Sequence, residues 1–127
     1  MTATRQTPTG TLTVVGTGPG ALDLMAPRAR QALENAEVVV GYRTYLDLVQ
    51  DCLNPQSEVL SSAMMQEIDR CRTALELAEA GRRVALVCGG DPGIYAMAGL
   101  VFELARATDS RANIDIIPGI AALNACA

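Results

Sequence analysis

In the stretch "RRVALVCGGDPGIYAMAGLVFELA", residues 82–105, an apolar run gives way to an amphipathic one across Gly89, Gly90, Asp91, Pro92 and Gly93. A tight strand-to-helix connection needs one glycine, and this one has three. Glycine lets a ligand approach the main chain closely, and the following proline biases Asp91 away from helical geometry. Carbonyls released from a ladder make a weakly acidic lining, suited to amine, ribose hydroxyl or cationic groups. Asp91 also suits capping of a helix after Pro92, and both roles can hold together. Two more apolar runs end in special backbone: "GTGPG", Gly16 to Gly20, and "PG", Pro118 and Gly119.

Other chemistries fit less well. "GTGPGA" matches the loose dinucleotide pattern G-x-G-x-x-G/A. However, Pro19 offers no N–H to a pyrophosphate, and the second apolar run ends "VVVGYRT" without the carboxylate that would hold a ribose. No Gly-Lys-Ser/Thr occurs, so a Walker-type loop is absent, and with no histidine every histidine base or triad is excluded. Cys52, Cys71, Cys88 and Cys126 are widely spaced and form no C-x-x-C pair. They read as small buried thiols of a reducing cytosol, and no metal site is expected. Net charge is −4, and no basic cluster exceeds Arg82-Arg83, so a nucleic-acid surface has no electrostatic footprint.

The elements that must position these residues follow from periodicity. Leu12 to Val15 reads as a first strand; Pro27 lies near a helix start, with Ala29, Leu33 and Ala36 on one stripe. "EVVVG" is a second strand, and "YRTYLDLVQDC" a helix with Tyr45, Leu48 and Val49 on one side. "SEVLSS" is a weaker third strand. Met64, Ile68, Cys71, Leu75 and Ala78 then recur at spacings of four and three, closed by Gly81 as a C-terminal cap. "RRVALVCGG" is a fourth strand, and the helix after Tyr95 presents Met97, Leu100, Val101 and Leu104; "NIDIIPG" is a fifth. This alternation predicts an α/β domain: a five-stranded parallel sheet with helices on both faces. In such sheets ligands sit beyond the carboxyl ends of the strands, where all three glycine-rich stretches fall.

"MTATRQTPTG", residues 1–10, lacks the apolar core of a secretory signal and reads as a disordered lead-in to a domain spanning 11–127. No apolar run approaches membrane-spanning length, so a cytoplasmic protein without a membrane partner is expected. "PGIAALNACA" begins a helix and stops without a cap, which predicts a fragment of a longer protein.

"VVGTGPGALDLMAPRARQALENAEVVVG", "CGGDPGIY" and "IPGIAALNA", in this order and spacing, resemble the tetrapyrrole methylase family. The resemblance runs over residues 11–127 and implies S-adenosyl-L-methionine as cofactor, held in a cleft between two α/β domains. The first of these is a five-stranded parallel sheet ordered 3-2-4-1-5; the C-terminal domain would be missing here. Carried over motif by motif, cofactor contacts fall on Pro19, Gly89, Gly90, Asp91 and Ile94, and on Ala121 and Ala122 after the last "PG". Members usually have Thr-Ala or Ser-Ala there, so Ala121 leaves only a backbone contact. Gly16, Gly18 and Gly20 would shape the loop of the substrate cleft. Some members carry an aspartate after "GPG"; this chain has Ala21, and no catalytic residue is assigned.

"GYRTYLDLV" and "GDPGIYAMAGLVFELA" resemble members of the cobalamin pathway. The implied reaction is methylation of a precorrin, a tetrapyrrole substrate, at C-17 with contraction of the macrocycle. Such a transfer depends on alignment more than on acid–base groups. A homodimer is implied too. Family members acting on ribosomal RNA or diphthine are the alternative within the class, and a non-enzymatic nucleotide-binding or interaction module of similar fold the alternative outside it.

Overall fold

A computed structural model describes residues 10–16, 27–62, 67–89 and 91–117. Five strands, β1 (Thr11–Gly16), β2 (Val38–Tyr42), β3 (Glu58–Ser62), β4 (Arg83–Cys88) and β5 (Asn113–Ile117), alternate with helices α1 (Pro27–Asn35), α2 (Arg43–Val49), α3 (Glu67–Glu79) and α4 (Asp91–Thr108). A single 3-10 turn, Gln50–Cys52, follows α2. All four strand pairings are parallel, in the order β3-β2-β4-β1-β5, as the resemblance implied.

The apolar runs explain this order. β4 is buried from Val84 to Cys88 and β2 from Val38 to Gly41, as strands covered on both faces must be. Alternate residues divide between two layers. Leu12, Val14, Val38, Val40, Val84 and Leu86 pack under α3 and α4; Val15, Val39, Ala85 and Val87 pack under α1 and α2. Edge strand β3 is more polar, and its Val59 is exposed.

Helix ends follow sequence chemistry. Pro27 is the first residue of α1, where its missing N–H costs nothing, and Ala29, Leu33 and Ala36 are buried as the stripe predicts. Gly81, at φ 97°, closes α3 while the Arg82 N–H bonds back to the Leu77 carbonyl at 3.3 Å.

Three helical expectations are corrected. α4 begins at Asp91 rather than after Tyr95, because Pro92 is tolerated in a first turn, while its stripe holds, Met97 and Val101 being buried and Leu100 and Leu104 packed against the same core. In α2 the buried residues are Leu46 and Val49, one turn apart, while Leu48 is exposed. In α3 the stripe holds at Cys71, Leu75 and Ala78, but Ile68 is 51% exposed. Ile68 lies in the first turn, away from the packed sheet, and the helix buries Arg70 on its other flank instead. Met64 lies outside the described residues.

Candidate cofactor-binding site

Helices that follow β1 and β2 cover one face, and those that follow β3 and β4 cover the other. Neighbours β2 and β4, and again β4 and β1, therefore send their chains to opposite sides. A crevice opens at such switch points. Gly16 pairs in register with Cys88, and Val15 with Ile117, so the carboxyl ends of β1, β4 and β5 lie side by side. The strand ends expected to converge are thus neighbours, while most of the glycine-rich residues that follow them lie outside the described residues.

Of the expected contacts, Gly16 and Gly89 are in place at this end, both buried. Asp91 opens α4 and Ile94 follows within its first turn. Gly18, Pro19, Gly20, Gly90, Ala121 and Ala122 lie outside the described residues.

Gly89 meets a neighbour that the sequence did not announce. A Cβ there would stand 2.8 Å from Cζ of Tyr45 and 2.9 Å from its hydroxyl oxygen. The ring packs edge-on to Tyr42, with centroids 5.8 Å apart and planes at 67°. Glycine at this position therefore leaves room for the Tyr45 ring, which would have to shift to admit a side chain. Signals for Tyr45 existed only as its place on the α2 stripe.

Between the tips of β2 and β4, the first turn of α3 and residues 96–100 of α4 lies a cavity of about 150 Å³. Tyr42 and Tyr45 form one wall, and Ala96, Met97 and Leu100 the opposite one. Val87, Cys88 and Gly89 supply the floor, and Glu67 and Arg70 the α3 side. Arg70 is 7% exposed and is the one buried charged residue among those described.

Beneath this cavity two thiols are held neutral. The Cys71 thiol donates to Met97 Sδ at 3.2 Å. Burial pushes the Cys88 thiol up to about 12 and Cys71 up to about 11, with the Arg70 charge opposing the rise in both. Cys88 is thus an un-ionised apolar surface beside the crevice and not a nucleophile. Cys52, Cys71 and Cys88 are free and buried; Cys126 lies outside the described residues. Among the described residues no three side chains of metal-binding type converge, and no helix is long and apolar enough to cross a membrane.

Comparison with known proteins agrees with this geometry. A model of the family "Tetrapyrrole (Corrin/Porphyrin) Methylases" matches residues 11–127. A Salmonella typhimurium protein named "probable cobalt-factor III C(17)-methyltransferase" is 46% identical over 116 residues, covering 91% of this chain and 48% of the relative. The precorrin-3B C(17)-methyltransferase of Sinorhizobium is 41% identical over 122 residues, 94% of this chain and 47% of the relative. Among solved structures, the methyltransferase CobJ superposes with a TM-score of 0.79 at 39% identity, covering 90% of this chain and 48% of that one. Uroporphyrin-III C-methyl transferase from Thermus thermophilus, solved with S-adenosyl homocysteine, gives 0.63 at 28% identity, covering 92% and 48%. The chain spans about half the length of each of these.

Proposed function

The chain belongs to the tetrapyrrole (corrin/porphyrin) methylase family, and from that premise we propose that it is the N-terminal α/β domain of an S-adenosyl-L-methionine-dependent C-methyltransferase of cobalamin biosynthesis. The substrate is a precorrin or its cobalt-containing counterpart, methylated at C-17 with ring contraction. One observation carries the reading: 46% identity, over 91% of the chain, to a protein named probable cobalt-factor III C(17)-methyltransferase. The family's own structural record supports the donor, since a relative was solved with S-adenosyl homocysteine.

The described residues fit such a donor. Gly89 follows β4 at a switch point, its side-chain direction taken by the Tyr45 ring. Cys88 stays protonated beside it, so no thiolate competes for an electrophilic methyl group. When bound, the donor supplies a methyl group on a positive sulfur and leaves as a neutral thioether. By the family motifs, donor contacts are proposed at Gly89, Gly90, Asp91 and Ile94 and at Pro19, Ala121 and Ala122, and the substrate-cleft loop at Gly16, Gly18 and Gly20. The other wall comes from a second domain, supplied by the half of the relatives' length that this chain does not span. We place the whole protein in the cytoplasm as a homodimer.

Calorimetric titration of S-adenosylhomocysteine tests this, into this chain and into the product of its reading frame carried to the natural stop codon. Micromolar binding to the longer product is expected. One wall alone should bind near millimolar, a loss of roughly 4 kcal/mol. No binding to either would sink the methyltransferase reading in favour of an interaction module.

A further inference from the structure

Arg70 has no role in what is proposed above, yet its placement is costly. A guanidinium taken out of water must recover its solvation from fixed partners. An apolar side chain would close the same wall more cheaply. Arg70 is 7% exposed and faces the crevice cavity across from Tyr45 and Met97, with Cys88 and Gly89 beneath. Its charge reaches the floor, since it draws the Cys88 titration down against the effect of burial.

Resting on the methylase reading, we propose that Arg70 anchors a ligand carboxylate carried on a short aliphatic arm, which enters the cavity between Tyr45 and Met97. Guanidinium is the side chain suited to this, because its planar fork matches a carboxylate with two parallel bonds. Arg70 is already engaged within the protein, and a guanidinium, with five N–H donors, can serve more than one partner. The aromatic and apolar walls exclude water and so strengthen the pair. The size of the cavity, about 150 Å³, sets what can enter. Sites that enclose a whole drug-sized ligand are roughly 300–1,000 Å³, so this one takes an arm and not a macrocycle.

Two ligands of the proposed reaction present such a carboxylate. The donor has one on its amino-acid end, for which exposed Glu67 at the rim offers a partner to the ammonium. Tetrapyrroles carry acetate and propionate side chains. The full-length reading-frame product, as wild type, Arg70→Met and Arg70→Lys, distinguishes them by calorimetry. The probes are S-adenosylhomocysteine, 5′-methylthioadenosine, which keeps the nucleoside thioether but lacks the carboxylate, and uroporphyrin III.

Arg70→Met should weaken one of the two carboxylate ligands about 10- to 100-fold. The loss falls on S-adenosylhomocysteine with methylthioadenosine unchanged if the donor is held, and on uroporphyrin alone if the tetrapyrrole is held. Arg70→Lys keeps a point charge and should lose less; it carries the test if the methionine variant does not fold. Unchanged affinity for both carboxylate ligands overturns the proposal. So does an equal loss for S-adenosylhomocysteine and methylthioadenosine, which marks a structural role. Wild type that binds neither carboxylate ligand overturns the methylase reading first, and the anchor with it.

Discussion

At the amino ends of the strands, Glu37, Arg82 and Arg83 border a cavity of about 300 Å³; at the carboxyl ends, Arg70, Tyr45 and Cys88 border one of about 150 Å³. The larger cavity is not the better site. Its charges are turned on one another: Arg83 donates from its backbone to Glu37 at 2.9 Å and from Nε to the Asn35 carbonyl at 3.0 Å, and Arg82 pairs with Glu58 at 3.6 Å. Ser57 donates to the Ala36 carbonyl at 2.7 Å. These contacts tie the starts of β2, β3 and β4 together. The carboxyl end instead gathers glycine, aromatic rings, neutral thiols and one buried cation. One end commits its polar groups to the fold; the other leaves Arg70 and Glu67 lining a cavity.

Glycine substitutions should separate the ends most sharply. At the amino end Gly10 is buried, its N–H bonded to the Ala78 carbonyl at 2.6 Å and its carbonyl bonded by Asn113 N–H at 3.2 Å. A Cβ on Gly10 would fall within the Arg82 main chain, 2.6 Å from its nitrogen. Backbone cannot rotate aside, so Gly10→Ala should cost about 3 kcal/mol in a urea titration, while ligand affinity of the folded fraction is unchanged. At Gly89 the obstacle is a side chain that can give. Gly89→Ala should cost about 1–2 kcal/mol and weaken S-adenosylhomocysteine at least about tenfold in the full-length protein. Adding Tyr45→Ala removes the clash, so the double variant should be no less stable than Tyr45→Ala alone. Equal ligand effects from both glycines would dissolve the distinction between the ends.

The same contrast governs what could be read in the sequence. Strands β1, β2 and β4 were legible because uninterrupted Val, Ala and Leu runs have few other places to go, and Gly81 was legible because a helix end needs a left-handed residue. That Gly16 and Gly89 fall at the same end of the sheet followed from a general rule about parallel sheets. The Tyr45–Gly89 contact was not legible, because it joins residues in different strand–helix units and leaves no periodic trace. Arg70 was hidden for a related reason. An arginine beside Cys71 reads as a solvated flank until the tip of β4 and residues 96–100 of α4 gather around it. Ile68 and Leu48 were misassigned in the opposite sense, since an apolar residue in a first turn or a short helix need not meet the core.

Alkaline pH should weaken the carboxyl end selectively. Cys88 and Cys71 have folded values near 12 and 11 against an ordinary 9.0. Between these limits the folded state keeps protons that the unfolded chain releases. Their contribution to stability is therefore complete below pH 9 and declines as pH rises toward 11 and 12. The slope is at most about 1.4 kcal/mol per pH unit for each thiol. Urea midpoints measured across that range should fall less steeply in Cys88→Ala than in wild type. Parallel slopes would mean that the thiol's burial is relieved before the chain unfolds.

Glu37 gives the smallest effect and the opposite sign. The Arg83 backbone N–H, with the Arg83 charge adding to it, holds this carboxyl below its ordinary 4.5. A group depressed on folding contributes above its unfolded value and loses that contribution as pH falls through the folded one. The Glu37 side chain is open to water, and a glutamine oxygen can still accept the Arg83 bond, so only the charged part of the interaction is at stake. Glu37→Gln should therefore unfold slightly before wild type at pH 7, and the two midpoints should merge in acid below pH 4.5. Affinity for S-adenosylhomocysteine should be the same in both, because nothing at this end of the sheet faces the crevice. A change in affinity would mean that the strand starts are coupled to the site through β4, and the two ends would have to be treated as one unit.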